Sequence, residues 1–310
     1  MNAREIISDL RRQELEILTE DYLVKVIEEN PKPTTYIGIE PGNVLHIGHL
    51  VGAIPVLKLA KHGFKAIILL ADLHAFVNDK GDISEIEEYA KLDRRAFEKL
   101  AGKVGAQGKL EYKLGTEFEN QSYFIQLLRL AKSVNLSDAQ KSMDEISKSS
   151  VSKKTSAAIY PLMQVMDIGV LGVNVAVGGI DQRKVHVLAI DNLKKIGYET
   201  PVAIHTKVIL GTDGKQKMSK SFQNTINLDE TAESLDAKIR KTFCAPGDVK
   251  TNPILDWYDK LIFPLSDSPV EFVGKELENY KELEKLWVEG AIAPQELKQC
   301  AKRDLSKLIL

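Results

Sequence analysis

The sequence predicts an α/β fold: a doubly wound parallel sheet with a helical insertion, followed by a small all-helical C-terminal domain. Through residues 1–230, short β-branched or apolar segments alternate with amphipathic helical segments, which is the pattern of a parallel sheet covered by helices. Strand signals then stop, and the tail is helical and rich in charge. We therefore expect two domains, residues 1–230 and 231–310, with the insertion at about 115–150.

The individual elements are predicted from local patterns. Residues 1–30 predict an N-terminal helix in which Ile6 and Leu10 recur among charges, and Pro31 ends it. The apolar run 66–72 does not alternate, as expected of a strand that is buried on both faces. The predicted strands are residues 34–40, 66–72, 109–114, 174–179 and 201–210. The predicted helices cover residues 46–63, 83–104, 119–149, 155–172 and a segment from about 181.

Composition excludes several classes of protein. Against 44 Asp and Glu residues stand 42 Lys and Arg, which excludes a strongly basic nucleic-acid coat but leaves room for a local basic face. The sequence has no apolar run long enough for a membrane span and no apolar core of a signal peptide. Cys244 and Cys300 are too few for a zinc site or a disulfide framework. We expect a cytoplasmic protein.

A histidine motif, HIGH at residues 46–49, follows the first predicted strand and opens a helix. His46 and His49 are three positions apart and therefore share one face of that helix. At a helix N-terminus they add donors to free backbone N–H groups and form a pocket for phosphate. Gly48 has no side chain, so a ligand ring could lie against the backbone. The motif alone fits both this pocket and a pair of ordinary surface histidines.

A lysine motif, KMSKS at residues 217–221, lies in a polar stretch after the last predicted strand. Lys217 and Lys220 could reach a triphosphate there and neutralise charge that develops on a leaving group. Taken alone, the stretch also fits a solvated loop. The two motifs together, in this order and about 170 residues apart, indicate one nucleotide that contacts both.

A third segment carries polar residues on a helix that is otherwise apolar. Tyr160, Gln164 and Asp167 are at positions i, i+4 and i+7 and share one face, while their neighbours predict burial. Buried polar groups need partners, and a bound amino acid would supply them. Asp167 would accept a hydrogen bond from a phenol hydroxyl. Tyr36, in the first strand, would donate to the same phenol, although the residues alone favour a core tyrosine.

These motifs resemble those of class I aminoacyl-tRNA synthetases, which have a Rossmann-like catalytic domain. The segments 36–50, 68–81 and 160–186 resemble tyrosyl-tRNA synthetases of the archaeal and eukaryotic type. The similarity runs from about residue 30 to 225 and continues more faintly through the helical tail. The resemblance implies a tyrosine–tRNA ligase whose first domain is the catalytic nucleotide-binding domain and whose second domain binds the anticodon.

The resemblance also implies a role for each motif residue. The residues implied for the amino acid are Tyr36 and Asp167 at its hydroxyl, and Tyr160, Gln164 and Gln182 at its α-amino end. The residues implied for ATP and its phosphates are His46, Gly48, His49, Gly178, Gly179, Asp181, Lys217, Met218, Ser219 and Lys220. Of these, the two histidines and the two lysines would be catalytic. Asp72 and His74 would border the amino-acid pocket or cap the end of their strand.

The implied reaction takes ATP as a substrate, with Mg²⁺ carried on its β- and γ-phosphates. The tyrosine carboxylate would attack the α-phosphorus, and pyrophosphate would leave. The terminal ribose of tRNA(Tyr) would then take the tyrosyl group. Because the attacking carboxylate is already ionised, positioning and charge stabilisation suffice for catalysis. The sequence shows no acidic cluster that marks a dedicated metal site.

Two regions are implied to contact tRNA. Lys141, Arg183 and Lys184 occupy places that approach the first base pair of the acceptor stem. At the anticodon, Phe272 would stack on a base and Glu296 would accept from a guanine edge, although a helix-surface glutamate fits Glu296 equally well. The resemblance also implies a homodimer with the insertion near its interface.

Three alternatives remain open at the level of sequence. A tryptophanyl-tRNA synthetase shares the fold and both motifs, but Tyr36 with Asp167 favours a phenol over an indole. A nucleotidyltransferase that makes a small adenylated metabolite shares an HxGH element, while KMSKS and the helical tail argue against it. An RNA-binding paralogue without catalytic activity would keep the fold, yet the motifs for catalysis are intact.

Overall fold

The computed structural model describes residues 1–142 and 154–310, and the chain forms two compact units. The sheet unit consists of Met1–Leu10, Leu15–Asn43 and Pro55–Thr206. The helical unit consists of Arg11–Glu14, Val44–Ile54 and Lys207–Leu310. Compactness alone defines these units, and the functional division near residue 230 stays a prediction.

Six strands form the sheet of the sheet unit. They are β1 (Leu15–Leu18), β2 (Thr34–Ile39), β3 (Lys65–Leu70), β4 (Leu110–Leu114), β5 (Val175–Gly179) and β6 (Val202–Thr206). Their order is β1-β6-β5-β2-β3-β4, and all neighbours are parallel except β1, which runs antiparallel to β6. The five strands predicted from the sequence are confirmed, as is the α/β class.

Nine helices connect or flank these strands within the described residues. They are α1 (Ala3–Leu10), α2 (Glu20–Glu29), α3 (Ile47–Lys61), α4 (Asp72–Val77), α5 (Ile83–Lys103), α6 (Gln121–Ala131), α7 (Leu136–Ser142), α8 (Ser156–Val170) and α9 (Arg183–Asn192). The helix predicted over 119–149 is therefore two helices as far as residue 142, and its remaining part lies outside the described residues.

The prediction of one helix over residues 1–30 is wrong, because β1 separates α1 from α2. Leu15 pairs with Thr206 and Glu16 pairs with His205, so this segment forms an edge of the sheet. Thr19 has a φ of 63°, a left-handed conformation that ends the strand before α2 begins. The four residues LEIL are too few to distinguish the hydrophobic period of a helix from that of a strand. Only the pairing of this segment with a distant strand decides its conformation.

The strand order places a topological switch at β2. After β2 the chain adds β3 and β4 on one side, and later β5 and β6 on the other side. Ligands bind such sheets at the carboxyl ends of the strands beside the switch. Tyr36 lies on β2, Gly178 and Gly179 end β5, and Asp72 follows β3. The fold thus brings three of the predicted ligand-binding segments to this edge.

A buried apolar cluster fixes these segments in place. Side chains of β2, β3 and β5 pack with side chains of α8, for example Ile67 and Ala176 with Val165 and Met166. Tyr36 and Met163 are part of the same cluster and are almost fully buried. Since protein interiors are close-packed, the polar residues of α8 keep fixed positions relative to the sheet.

The helical unit contains α10 (Ala232–Lys241), α11 (Pro253–Trp257), α12 (Phe263–Leu265), α13 (Tyr280–Val288) and α14 (Pro294–Ile309). It also contains a hairpin of β7 (Val270–Phe272) and β8 (Lys275–Leu277), so the prediction of an all-helical tail is wrong in this detail. Val273 and Gly274, with φ of 47° and 76°, form the two-residue turn. Strands of three residues leave too little alternation to be predicted.

Candidate functional site

The polar face predicted on α8 is present and largely buried. Asp167 is 1% exposed, Tyr160 is 7% exposed, and Gln164 lies between them on the same face. Tyr36 on β2 is 1% exposed and contacts this face. Burial raises the pKa of Tyr36, the nearby Asp167 carboxyl raises it further, and a hydrogen bond with Gln164 acts in the opposite direction. The structure therefore brings together the two residues predicted at the hydroxyl of the amino acid, Tyr36 and Asp167, and two of those predicted at its α-amino end, Tyr160 and Gln164.

The Asp167 carboxyl is satisfied on one oxygen only. The Tyr123 hydroxyl of α6 donates to Asp167 Oδ1 over 2.7 Å, and it also lies 2.8 Å from the carbonyl oxygen of Met163. Asp167 Oδ2 is buried and has no hydrogen-bond partner among the described residues. Burial and the neighbouring Glu119 raise the pKa of Asp167 well above its usual value. A ligand that donates a hydrogen bond to Asp167 Oδ2 would supply the partner that this buried oxygen lacks.

Asp72 and His74, both at the start of α4, have different surroundings. Asp72 accepts from the Thr116 hydroxyl over 2.7 Å and from the backbone N–H groups of Leu73 and Thr116, so it fastens the end of β3 to the next loop. The His74 ring meets the Tyr160 ring edge-on at 4.8 Å, and its Nε2 is 3.4 Å from Asp167 Oδ2. Only His74 therefore contacts the α8 residues.

The proposed α-amino end of the pocket is made of amide and carboxylate groups. Gln164 Nε2 donates to Gln182 Oε1 over 3.0 Å, which leaves Gln164 Oε1 buried and without a partner among the described residues. The Tyr160 hydroxyl donates to Glu40, which also accepts from Asn78. These acceptors match the needs of an ammonium group, which has three donors and no acceptor.

The turn after β5 depends on its two glycines. A Cβ on Gly178 would lie 3.0 Å from Gln182 Cβ and 3.1 Å from His186 Cε1, and a Cβ on Gly179 would lie 2.6 Å from Asp181 Oδ1. Larger residues would displace Gln182 or Asp181. The turn continues as a short 3₁₀ segment, Ile180–Gln182, and then as α9.

In the helical unit, the HIGH histidines form a half-buried pair of neutral rings. Their centroids are 4.0 Å apart, and His46 Nδ1 accepts from the Gly48 N–H over 3.2 Å, which leaves Nε2 of His46 to carry the proton. A Cβ on Gly48 would be 2.9 Å from the His46 ring. Burial, His49 and Lys220 lower the pKa of His46 to about 2, in that order of size.

The KMSKS segment lies close to these histidines within the same unit. Burial lowers the pKa of His49 to about 4, and the positive charge of Lys220 contributes to the shift on both rings. Both motifs thus belong to one compact unit, and a single nucleotide that contacts both stays a prediction. Neutral imidazoles beside an ammonium group form a set of donors directed at an anion.

Asn224 organises the KMSKS segment and was not predicted. It is 2% exposed, accepts from the Ser219 N–H over 2.8 Å, and donates to the Lys217 carbonyl over 3.3 Å. The Ser219 and Ser221 hydroxyls lie 2.9 Å apart, and Met218 is buried. A polar residue several positions beyond a motif gives no signal of this role in the sequence.

The residues predicted to contact tRNA differ in exposure. Arg183, Lys184 and Lys141 are exposed. Phe272, however, is 1% exposed and packs on the Tyr258 ring at 4.7 Å, so the prediction that it stacks on an anticodon base does not fit the structure. An aromatic residue in a hairpin strand packs inward to cover the core of the unit. Glu296 accepts from the Ala293 N–H over 2.8 Å and caps α14.

Several residues that contact the predicted sites of the sheet unit, or one another beside them, had no predicted role. They are Glu40, Glu119, Tyr123, Glu16, His186 and His205. His186 Nδ1 lies 3.0 Å from His205 Nε2, and His205 Nδ1 lies 3.0 Å from a Glu16 oxygen. Their distance along the chain hides these contacts from pattern analysis, because only the strand pairing brings them together.

The buried histidine pair predicts a pH dependence of stability. Burial lowers the pKa of His186 to about 3, with His205 contributing, so the folded protein keeps this ring neutral while the unfolded chain binds a proton below pH ~6.5. Stability from this residue is therefore lost as pH falls from about 6.5 towards 3. Between pH ~6.5 and ~5, we expect the free energy of unfolding of His186→Gln to fall by about 1–2 kcal/mol less than that of the unsubstituted protein.

Urea unfolding at several pH values measures this effect. Comparing the variant with the unsubstituted protein at each pH cancels the titration of all other groups. Equal slopes of free energy against pH in the two proteins would contradict the assignment of a neutral His186.

Comparison with known proteins identifies a family. The family model described as tRNA synthetases class I (W and Y) matches residues 28–309. The tyrosine–tRNA ligase of Methanosarcina acetivorans is 38% identical over 97% of this chain and 96% of its own length. The tyrosine–tRNA ligase of Methanopyrus kandleri is 38% identical over 100% of this chain and 97% of its own length.

Solved structures show the same similarity. Tyrosyl-tRNA synthetase of Archaeoglobus fulgidus, solved with L-tyrosine, superimposes with a TM-score of 0.90 at 38% identity and covers 98% of this chain and 97% of its own. Tryptophanyl-tRNA synthetase of Plasmodium falciparum shares the fold at a TM-score of 0.71 and 19% identity, over 94% of this chain and 79% of its own. Within residues 1–142 and 154–310, no helix has the length and apolarity to cross a membrane. The chain belongs to the class I tRNA synthetase family that contains the tryptophanyl and tyrosyl enzymes.

Proposed function

We propose that the chain is a tyrosine–tRNA ligase. It activates L-tyrosine with ATP to give tyrosyl-adenylate and pyrophosphate, and then transfers the tyrosyl group to the 3′ end of tRNA(Tyr). The observation that carries this assignment is the buried Asp167, whose free oxygen needs a donor, next to Tyr36. The full-length similarity to tyrosine–tRNA ligases supports it. A cytoplasmic location stays a prediction from the sequence.

The pocket favours a phenol ring on physical grounds. Asp167 Oδ2 accepts a hydrogen bond from the ligand hydroxyl, and the Tyr36 hydroxyl donates one to the oxygen of that ligand hydroxyl. Bound phenylalanine would leave this buried carboxyl oxygen without a hydrogen-bond donor. The free-energy cost of that unpaired group is the basis of discrimination between tyrosine and phenylalanine, for which tyrosyl-tRNA synthetases are the standard example. An indole could offer one N–H to Asp167 but has no oxygen to accept from Tyr36. At the other end, Gln164 Oε1 and Glu40 are acceptors for the ammonium group.

Adenylation needs no nucleophile from the protein. The tyrosine carboxylate oxygen forms a bond to the α-phosphorus of ATP, the bond from that phosphorus to the bridging oxygen breaks, and pyrophosphate leaves with the electron pair. We assign His46 and His49 as neutral donors to the phosphates, and Lys217 and Lys220 as the charges that stabilise the leaving group. Mg²⁺ would arrive with ATP and neutralise its β- and γ-phosphates.

The second step transfers the tyrosyl group to tRNA. A hydroxyl of the terminal ribose attacks the carbonyl carbon of the mixed anhydride, and AMP leaves. We assign the exposed Arg183, Lys184 and Lys141 to the acceptor stem. Glu296 remains a candidate for the anticodon, with one oxygen already held by the helix cap.

Replacing the hydroxyl-binding carboxylate tests the amino-acid assignment. We expect Asp167→Asn to lower kcat/KM for tyrosine by about 10²-fold or more and to reduce the preference over phenylalanine, because the Tyr123 hydroxyl holds the amide oxygen and leaves an NH₂ donor where Oδ2 accepted the phenol proton. Amino-acid-dependent pyrophosphate exchange with tyrosine, phenylalanine and tryptophan measures both quantities. Asp21→Asn, an exposed position on α2, is the matched control.

The outcome also separates the alternatives. Exchange that depends on tryptophan rather than tyrosine would identify the other enzyme of the family. Binding of tRNA without any exchange would identify a paralogue that has lost catalysis. A variant that still excludes phenylalanine would show that another residue binds the hydroxyl.

Removing one lysine tests the assignment of the phosphate-binding residues. We expect Lys220→Ala to lower the rate of adenylate formation by about 10²-fold and to leave the Kd for tyrosine unchanged, because Lys220 acts on charge that develops in the transition state. Single-turnover kinetics gives the rate, and equilibrium binding gives the Kd. Lys215→Ala, on the same loop and exposed, is the control. Equal losses in rate and in tyrosine affinity would give Lys220 a different role.

We also propose a homodimer that forms through α6 and the start of α7. Phe124, Ile125 and Leu128 of α6 are 43%, 51% and 65% exposed, and Leu136 of α7 is 63% exposed. A contiguous set of large exposed apolar side chains on one helix is typical of an interaction surface. Its location in the helical insertion agrees with the position that the family resemblance implies.

A charge on this surface tests the dimer. We expect Leu128→Glu to shift the protein from dimer to monomer at micromolar concentration in analytical ultracentrifugation, because a carboxylate in an apolar interface lacks a partner. Val288→Glu, at a 62% exposed position on α13, is the matched control and should remain a dimer. An unsubstituted protein that sediments as a monomer would refute the proposal.

A further inference from the structure

Three ionisable side chains of the sheet unit lie together in a buried group. They are His74, Glu119 and Asp167, which are 2%, 6% and 1% exposed. One ligand atom from each lies within 4.8 Å of the others. Asp167 is part of the proposed tyrosine site, but Glu119 has no role there.

The group contains more polar atoms than a tyrosine ring can satisfy. Among the described residues, both Glu119 oxygens, both His74 nitrogens and Asp167 Oδ2 are buried without a hydrogen-bond partner. A phenol hydroxyl has one proton, which Asp167 takes. Glu119 would remain unsatisfied with tyrosine bound, at a cost comparable to a lost hydrogen bond. A ligand with a second polar group would remove that cost.

The arrangement does not suit a metal ion. His74 presents Nε2 to Asp167 at 3.4 Å and Nδ1 to Glu119 at 4.0 Å, so the two carboxyls face opposite nitrogens of one ring. An ion between the three ligand atoms would require both carboxyls to be ionised, whereas burial raises the pKa of each. The second Asp167 oxygen is already held by Tyr123. The group therefore fits a ligand that forms hydrogen bonds at separate points.

Glu119 is held in a state that can both donate and accept. Gly115 has no Cβ, and an added Cβ would lie 2.3 Å from Glu119 Oε1 and 2.7 Å from Asp72 Oδ1, so both carboxyls approach this backbone. Burial and the Asp72 charge raise the pKa of Glu119. This shift favours the carboxylic acid, which pairs with a hydroxyl or an amine without the cost of burying a charge.

We propose that Glu119 is a specificity-determining residue, and that the pocket takes a phenol ring with a second hydrogen-bond donor on the carbon next to the hydroxyl. The class of substrate is thus a 3-hydroxy- or 3-amino-substituted tyrosine. With the ring hydroxyl on Asp167, a substituent on the adjacent carbon would lie near this group, in which a Glu119 oxygen is within 4.8 Å of an Asp167 oxygen. The inference rests on the proposed tyrosine-activating function and refines it.

Pyrophosphate exchange with substituted tyrosines tests the proposal. The substrates are L-tyrosine, 3-amino-L-tyrosine, 3-hydroxy-L-tyrosine and 3-methyl-L-tyrosine, the last of which has a substituent of similar size without a donor. For the unsubstituted protein, we expect kcat/KM for the amino or hydroxy compound to exceed that for the methyl compound by about tenfold or more. This comparison needs no variant and is independent of folding effects.

Two variants then assign the preference to Glu119. Glu119→Leu should lower the ratio of kcat/KM for the amino and hydroxy compounds to kcat/KM for tyrosine by about tenfold, and this ratio is the readout. Glu119→Gln keeps one donor and one acceptor and should retain most of the preference. Retained exchange with tyrosine shows that each variant is folded.

Several results would overturn the proposal. They are equal kcat/KM for the methyl compound and the donor-bearing compounds, a preference unchanged in Glu119→Leu, or one equivalent of tightly bound metal that is lost in that variant. Absence of exchange with every amino acid tested, tyrosine included, would instead refute the proposed function. The two failures are therefore distinguishable.

Discussion

A buried carboxyl that the protein itself only half satisfies is the constraint on which the amino-acid pocket depends. Asp167 holds one hydrogen bond from Tyr123 and leaves its second oxygen buried. Such a group costs free energy in the unliganded protein, and the packing of α8 against the sheet must maintain it. The ligand that supplies the missing donor recovers this cost. Under the proposed assignment of Asp167, specificity for a hydroxylated ring is built into the folded state before any substrate binds.

Charge is arranged differently around the phosphate-binding motifs. Burial keeps His46 and His49 neutral, and the nearby Lys220 favours the same state. Neutral rings donate hydrogen bonds without repelling the lysine, so the positive charge can remain on the side chain that stabilises a leaving group. Protonated histidines would bind phosphate more strongly in the ground state. Binding that is equally strong in the ground state and the transition state does not accelerate the chemical step. The motif therefore suits transition-state stabilisation.

The features that the sequence could predict are local, and those that it could not are formed by distant segments. HIGH, KMSKS and the face of Tyr160, Gln164 and Asp167 each lie within one turn or helix, so spacing alone locates them. Tyr123 and Glu119 reach Asp167 from another helix and loop, where no spacing rule applies. The resemblance implies that Phe272 stacks on an anticodon base, yet the unpredicted hairpin places this side chain in the core.

The missed strand β1 shows why such an error bears on function. Its pairing with β6 sets Glu16 opposite His205, and the Glu16 carboxylate lies 3.0 Å from Arg183 Nε. The same carboxylate accepts from the His205 ring, which contacts His186 behind the Gly178 turn. A residue assigned to tRNA and a turn assigned to the substrate are thereby fastened to one edge strand. An exposed ion pair of this kind adds little stability, so its effect is on the orientation of Arg183.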